Sequence, residues 1–377
     1  VRPELEAAGH DTTSLPVGDQ TLRSGLLRGR IRSQWRRNQM SKVLVTGGTG
    51  FLGAHILVQL LNEGHDARAT IRNMDKKDKL LKMLQAGGAR SEALQLFEAD
   101  LEDDNGWADA MADCDYVLHV ASPFPAGSPD DEGALIRPAR DGTIRVLQAA
   151  RAAGVKRVVM TSSFAAIGYG HPSRREAFTE TDWSNLDAPD VSAYIKSKIL
   201  AERAAWKFTE LEGKAAELSV INPTGIFGPV LGPDYASSIS LIDAMLEGRM
   251  PFAPRIFFGV VDVRDVAALH LLAMNAPEAA GRRFIAASGE PVSMIAVAQI
   301  LRSYLGPEAA KAPRRQLPDW VFKAMARFSP SLRELTPQLG KFRRASNTKA
   351  REMLGWSPRS AEETILATAR SLLELRS

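Results

Sequence analysis

The sequence predicts an α/β fold built on a doubly wound parallel sheet. Three observations carry that expectation. Short runs rich in β-branched residues alternate with longer segments whose apolar residues recur near every 3.6 positions, a dense glycine cluster follows the first run, and hydroxyl side chains gather where a later run ends. The first run is KVLVT, residues 42–46, followed by TGGTGFLG and the helical pattern AHILVQLLNEG. DARATI (66–71), LQLFEA (94–99), DYVLHV (115–120), KRVVMTS (156–162) and LSVI (218–221) read as further strands, with GTIRVLQAARAAG as a helix between two of them. Beyond Ile221 the pattern loosens into NPTGIFGPVLGPDYASS, and helices then dominate to the C-terminus. RIFFGVVDVRDVAALHLLAM (255–274) reads as one more strand and helix returning to the sheet.

Composition narrows the class of protein. A chain of 377 residues, 45% hydrophobic and 24% charged, is long enough for roughly two domains without covalent staples. No stretch approaches the roughly 18 unbroken apolar residues of a membrane helix, so the chain reads as soluble, with no membrane partner. Its single cysteine, Cys114, can form no internal disulfide, and no Cys/His cluster has zinc-ligand spacing. A cytoplasmic, metal-free protein is expected, with Cys114 a small buried side chain. Of the net charge of +4, residues 1–39 supply +3 through seven arginines against four acids. The remainder is almost neutral, which argues against nucleic-acid binding. Residues 1–40 are read as a disordered or artefactual leader, with Met40 a natural start.

The glycine cluster points to a phosphate. Gly47, Gly50 and Gly53 form G-x-x-G-x-x-G between a strand and a helix, where glycine permits a tight turn and the helix N-terminus attracts a pyrophosphate. The whole loop, including Thr49, Phe51 and Leu52, is expected to hold a dinucleotide in a Rossmann-type domain. At the end of the second strand an acid would repel a 2′-phosphate, but Thr70, Ile71, Arg72 and Asn73 include none. Arg72 can fork onto a phosphate and stack on adenine, and Lys76 follows. NADP(H) is therefore favoured over NAD(H). The expected plan is a nucleotide-binding domain of residues 41–225 plus 256–280, and a smaller, mainly helical substrate-binding domain of residues 226–255 plus 281–377.

Chemistry gathers at two places. VVMTSSFAAIG puts Ser162 and Ser163 at the carboxyl end of the fifth strand, where doubly wound sheets bind ligands. SAYIKSKILAERAAW opens a long helix on which Tyr194 and Lys198, four apart, share a face. A phenol titrates near 10, and bringing it to about 7 requires roughly 4 kcal/mol. One ammonium at about 4 Å and an effective dielectric near 20 supplies about that much. Tyr194 could then exchange a proton with a carbonyl or alcohol oxygen that Ser163 also bonds. Ser162 is the alternative hydroxyl.

TGGTGFLG, the serine-bearing strand end, YIKSK and INPTGIFGP, in that order, resemble the extended short-chain dehydrogenases/reductases, the NAD-dependent epimerase/dehydratase superfamily. ARATIRN, EADLED, LHVASPF, AERAAW and SNTKAREMLGWSP are similar to its dihydroflavonol reductase-like branch, which includes aldehyde and ketone reductases. The resemblance implies Tyr194 as the acid/base, Lys198 as the group that binds the nicotinamide ribose and lowers the Tyr pKa, and Ser163 as the positioner of the substrate oxygen. It places Asp100 and Leu101 at the adenine, Val120, Ala121 and Ser122 along the cofactor channel, and Pro223, Thr224 and Ile226 beside the nicotinamide. The implied partner is a small-molecule carbonyl substrate, and a homodimer is common in the family. One departure is DVSAYIKSK where the branch's cinnamoyl-CoA reductases carry NWYCYGK, which argues against a CoA thioester. Two other readings stand beside this one. A sugar-nucleotide epimerase/dehydratase is disfavoured by Arg72 and by the lack of an acid pair in TSSFAAIG, and a dinucleotide sensor without catalysis by the presence of Ser163, Tyr194 and Lys198. His119 is read as a strand-packing residue, and Asp262, Arg264 and Asp265 as a helix cap.

Overall fold

The computed structural model describes residues 40–123, 131–212, 216–233 and 236–376, with the side chain of Ser331 set aside. The expectation for the leader falls on residues 1–39 and lies outside them, as does most of the loop SPFPAGSPDDEG.

Six strands form where short apolar runs predict them: β1 Lys42–Thr46, β2 Asp66–Ile71, β3 Gln95–Glu98, β4 Tyr116–His119, β5 Arg157–Thr161 and β6 Glu217–Pro223. With β10 (Arg282–Ala286) they form one seven-stranded sheet in the order β10-β6-β5-β4-β1-β2-β3, and every neighbouring pair is parallel. The reversal of order on either side of β1 is the mark of a doubly wound, Rossmann-type sheet. Alternation along the strands loads both faces. Val43 and Val45 pack with Ile56 and Leu57 of helix α1 (Phe51–Glu63), and Leu44 packs on the opposite side with Val146, Val158 and Phe208.

The structure corrects one expectation. The segment around residue 260 does not return to the large sheet: β9 (Val260–Asp262) pairs instead with the short β7 (Gly225–Phe227), and β8 (Phe257–Phe258) pairs with β11 (Val292–Ser293). The seventh strand is β10, Arg282–Ala286, in register with β6 from Arg282↔Ser219 to Ala286↔Pro223. Its sequence, RRFIA, carries two cations, so no apolar run announces it. Arg283 is nonetheless buried, on a carboxylate contributed from far away in sequence.

A separate apolar cluster lies beyond the sheet. Phe227, Ile239, Ile242 and Val260 meet Val297 and Leu301, and Ile365, Ala369 and Leu372 complete it. Asp262 caps the helix α2 (Val263–Asn275) by accepting from the Arg264 N–H. Asp265 has another role and accepts from the Arg359 N–H at 2.7 Å.

Candidate active site

The carboxyl ends of the central strands open into one cavity of about 850 Å³. Each residue assigned from the sequence to the cofactor or to catalysis lines it. They are Gly47, Thr49, Gly50, Phe51, Leu52 and Gly53 of the loop and first helical turn, Arg72 and Lys76 past β2, Asp100 and Leu101 past β3, and Val120 to Ser122 past β4. Ser163, Tyr194 and Lys198 line it as well, with Pro223, Thr224 and Ile226 at and beyond the end of β6.

The glycine loop is close-packed for steric reasons. Gly47 has φ +72, and a Cβ there would stand 3.0 Å from the Ala121 Cα. At Gly53 a Cβ would lie 2.3 Å from the Gly47 carbonyl oxygen, so only hydrogen lets α1 begin this near the turn. That helix starts at Gly50 with no side-chain cap. Its first-turn N–H groups, which have no intrahelical partners, are the donor set that a pyrophosphate requires. The residues present thus fit a dinucleotide. Thr70 steadies the loop, its carbonyl accepting from the Gly48 N–H at 3.0 Å. Arg72 and Lys76 stand exposed on the adjoining rim, while the neighbouring Asp75 carboxylate accepts from the Asn73 amide at 2.9 Å.

Thr46, which the sequence did not single out, orders the wall between β1 and β4. Thr46 Oγ1 accepts from the N–H groups of Val120 and Ala121, both at 3.0 Å, and lies 2.9 Å from His119 Nδ1. His119 is buried, and that burial pushes its pKa down to about 3, so the ring is a neutral packing residue. Cys114 is buried too, and desolvation raises its thiol pKa.

The helix α3 (Ala193–Leu211) starts on Ser192, whose hydroxyl accepts from the Ile195 N–H. This cap sets Tyr194 and Lys198 into the cavity from the first turns. Tyr194 shares a hydrogen bond with the Ser163 side chain, and Ser163 Oγ accepts from the Ala165 N–H at 3.1 Å. Ser162 is directed elsewhere, its hydroxyl donating to Glu202 at 2.5 Å. Lys198 Nζ donates to Ser122 Oγ at 2.9 Å and lies 5.8 Å from the centre of the Tyr194 ring.

These distances alter the expected electrostatics. A phenol brought to about 7 by a lysine is not what the geometry produces: burial pushes Tyr194 up to about 12, against the Ser163 hydrogen bond, and pushes Lys198 down to about 8. Desolvation penalises both charged forms and is the largest influence on each. The phenol is therefore neutral at physiological pH. Tyr169, which sequence reasoning passed over, lines the same cavity and raises Tyr194 further as a second phenol. The Arg343 guanidinium lies 4.3 Å from its ring centre.

Among the described residues, no group of three or more His, Cys, Asp or Glu could hold a metal ion, and no helix is long and apolar enough to cross a membrane.

Known proteins share this arrangement of chain. Residues 43–287 match the NAD dependent epimerase/dehydratase family. Over 355 residues, 88% of this chain and 98% of the relative, the sequence is 33% identical to ketoreductase azaE of Aspergillus niger. It is 36% identical to cinnamoyl-CoA reductase CAD2 of Medicago truncatula over 245 residues, 64% of this chain and 74% of that one. Among solved structures, yeast methylglyoxal/isovaleraldehyde reductase Gre2 complexed with NADPH superposes with a TM-score of 0.72 at 26% identity, covering 89% of this chain and 99% of its own. Gre2 from Candida albicans in complex with NADPH gives 0.74 at 27% identity, with coverage of 89% and 100%.

Proposed function

The chain belongs to the NAD dependent epimerase/dehydratase family, in its dihydroflavonol reductase-like branch, and we propose that it is an NADPH-dependent reductase of small aldehydes or ketones. The observation that carries this reading is the Ser163–Tyr194 hydrogen bond, with Lys198 one helical turn on, inside the cavity that the glycine loop and Arg72 also line. NADPH, when bound, supplies the hydride.

The glycine loop and the first turn of α1 would hold the pyrophosphate, Arg72 and Lys76 the 2′-phosphate, and Lys198 with Ser122 the nicotinamide ribose. Ser163 would hydrogen-bond the substrate oxygen beside Tyr194. As that oxygen gains charge, the Tyr194 phenol gives it a proton. A phenol near 12 is a sufficient donor here, because an alkoxide is a far stronger base than a phenolate. Ser162 is unsuited to the positioning role because its hydroxyl is committed to Glu202. Residues 226–255 and 281–377 are assigned to the substrate side, from which Ser237, Leu335 and Gln338 reach the cavity.

The test is NADPH oxidation, followed at the nicotinamide absorbance, across aromatic aldehydes, α-keto esters, dicarbonyls and flavonoid ketones. Turnover of at least one class at the expense of NADPH is expected. Tight NADPH binding with no turnover on any of them would overturn the reductase in favour of a dinucleotide sensor.

A further inference from the structure

Glu202 continues the series Tyr194, Lys198, Glu202, four residues apart along one face of α3. Its carboxylate is fully buried and receives four donors: Ser162 Oγ at 2.5 Å, Asn222 Nδ2 at 2.7 Å, Trp206 Nε1 at 3.2 Å and Arg283 Nε at 2.6 Å. Two of these bracket Ser163. Ser162 precedes it in the chain, and Asn222 Nδ2 also donates to the Ser163 carbonyl at 3.2 Å. Arg283 extends the network from β10, donating to the carbonyls of Glu180 and Asp182 at 2.9 and 2.8 Å and stacking 3.9 Å from the Trp183 ring centre.

A buried ion pair is weak evidence of stabilisation, since well-packed apolar residues in its place are often as stable or more so. Its geometry has a clearer consequence. One carboxylate joins the helix bearing Tyr194 and Lys198 to the strand end bearing Ser163, so the hydroxyl and the phenol are held at a fixed separation. It also acts on the lysine. The titratable groups facing Lys198 are Tyr194 and Glu202 on its own helix and His119 on β4, which is held neutral, so Glu202 alone opposes the effect of burial.

Resting on the reductase reading above, we propose that Glu202 is a positioning residue of this site, which fixes Ser163 through Asn222 and Ser162 and sets its carboxylate on the α3 face that carries Lys198.

The experiment compares wild type, Asn222→Ala, and Glu202→Gln combined with Arg283→Met, the last so that no buried guanidinium is left unpaired. Reduction rates and the NADPH dissociation constant, from nicotinamide fluorescence, are measured between pH 6 and 10, with melting curves to establish folding. In the wild type, NADPH affinity should weaken as pH rises through the Lys198 pKa. In the double variant that limb should move about one pH unit lower, and kcat should fall on the order of ten- to a hundredfold. Asn222→Ala should lose kcat on the order of tenfold with its limb unmoved, because the carboxylate remains. A folded double variant with the wild-type limb and a kcat within twofold would reduce the network to architecture. If wild type turns over no carbonyl while the limb still moves, the reductase reading falls and the action of Glu202 on Lys198 stands. Failure of wild type to bind NADPH overturns both.

Discussion

Gly53→Ala tests how the cofactor cradle is built. The new Cβ would lie 2.3 Å from the Gly47 carbonyl oxygen, 3.1 Å from its carbonyl carbon and 3.3 Å from the Gly48 Cα, whereas ordinary contact begins at 3.4 Å. All three atoms are backbone, so no side chain can rotate away. Reaching ordinary contact from 2.3 Å requires α1 and the loop to separate by 1.1 Å. Overpacking of this kind costs about 1–3 kcal/mol, a fall in Tm of a few degrees in a chain of this size. The separation also withdraws first-turn N–H groups from a phosphate. Losing one charge-assisted hydrogen bond removes about 1.5–3 kcal/mol, on the order of ten- to a hundredfold in affinity. Fluorescence titration with NADPH reads the second effect and a melting curve the first. A Gly53→Ala protein that binds NADPH within twofold of wild type and melts at the same temperature would refute the reasoning.

The remaining predictions concern charge and proton transfer. Tyr194→Phe should leave NADPH affinity nearly unchanged and lower turnover by about 10²–10⁴-fold, and a Phe variant with near wild-type rate would overturn the mechanism. Arg72→Asp should shift preference toward NADH, since wild type is expected to favour NADPH by about ten- to a hundredfold. Retention of the original margin would make Arg72 a surface charge only. The reductive kcat/KM should fall as pH rises through about 8, because Lys198 loses its charge on the alkaline side of its lowered pKa. Tyr194, pushed up to about 12, adds no second limb below pH 10. A limb near pH 7, or a profile flat to pH 10, would contradict this assignment.

The first six strands were legible because each is a short apolar run, and all but the edge strand β3 are buried along most of their length. Tyr194 and Lys198 were legible because four-residue spacing shares a helical face whatever the surroundings. Glu202 obeys the same spacing and went unremarked, since a glutamate in a helical sequence ordinarily belongs to a solvated face. Only its four donors, drawn from other elements, mark it as buried. For the same reason β10 stayed hidden: an arginine argues against a buried strand until its carboxylate is found 81 positions away. The Tyr194 proton was misjudged because Coulomb's law needs only a distance, whereas desolvation depends on everything packed around the ring.

The late arrival of β10 bears on how the chain is made. During synthesis, β6 and the helix α3 are complete nearly 60 residues before Arg283 emerges, counting from Pro223 to Arg282. Throughout that interval Glu202 has no guanidinium, and packing α3 onto the sheet would bury its charge with only the neutral donors Ser162, Trp206 and Asn222, which is less favourable than with Arg283 in place. Packing on that side of the sheet is therefore weaker until β10 docks. One strand thus completes both the edge of the sheet, by pairing with β6, and the charge balance of the network behind the catalytic strand ends, through Arg283.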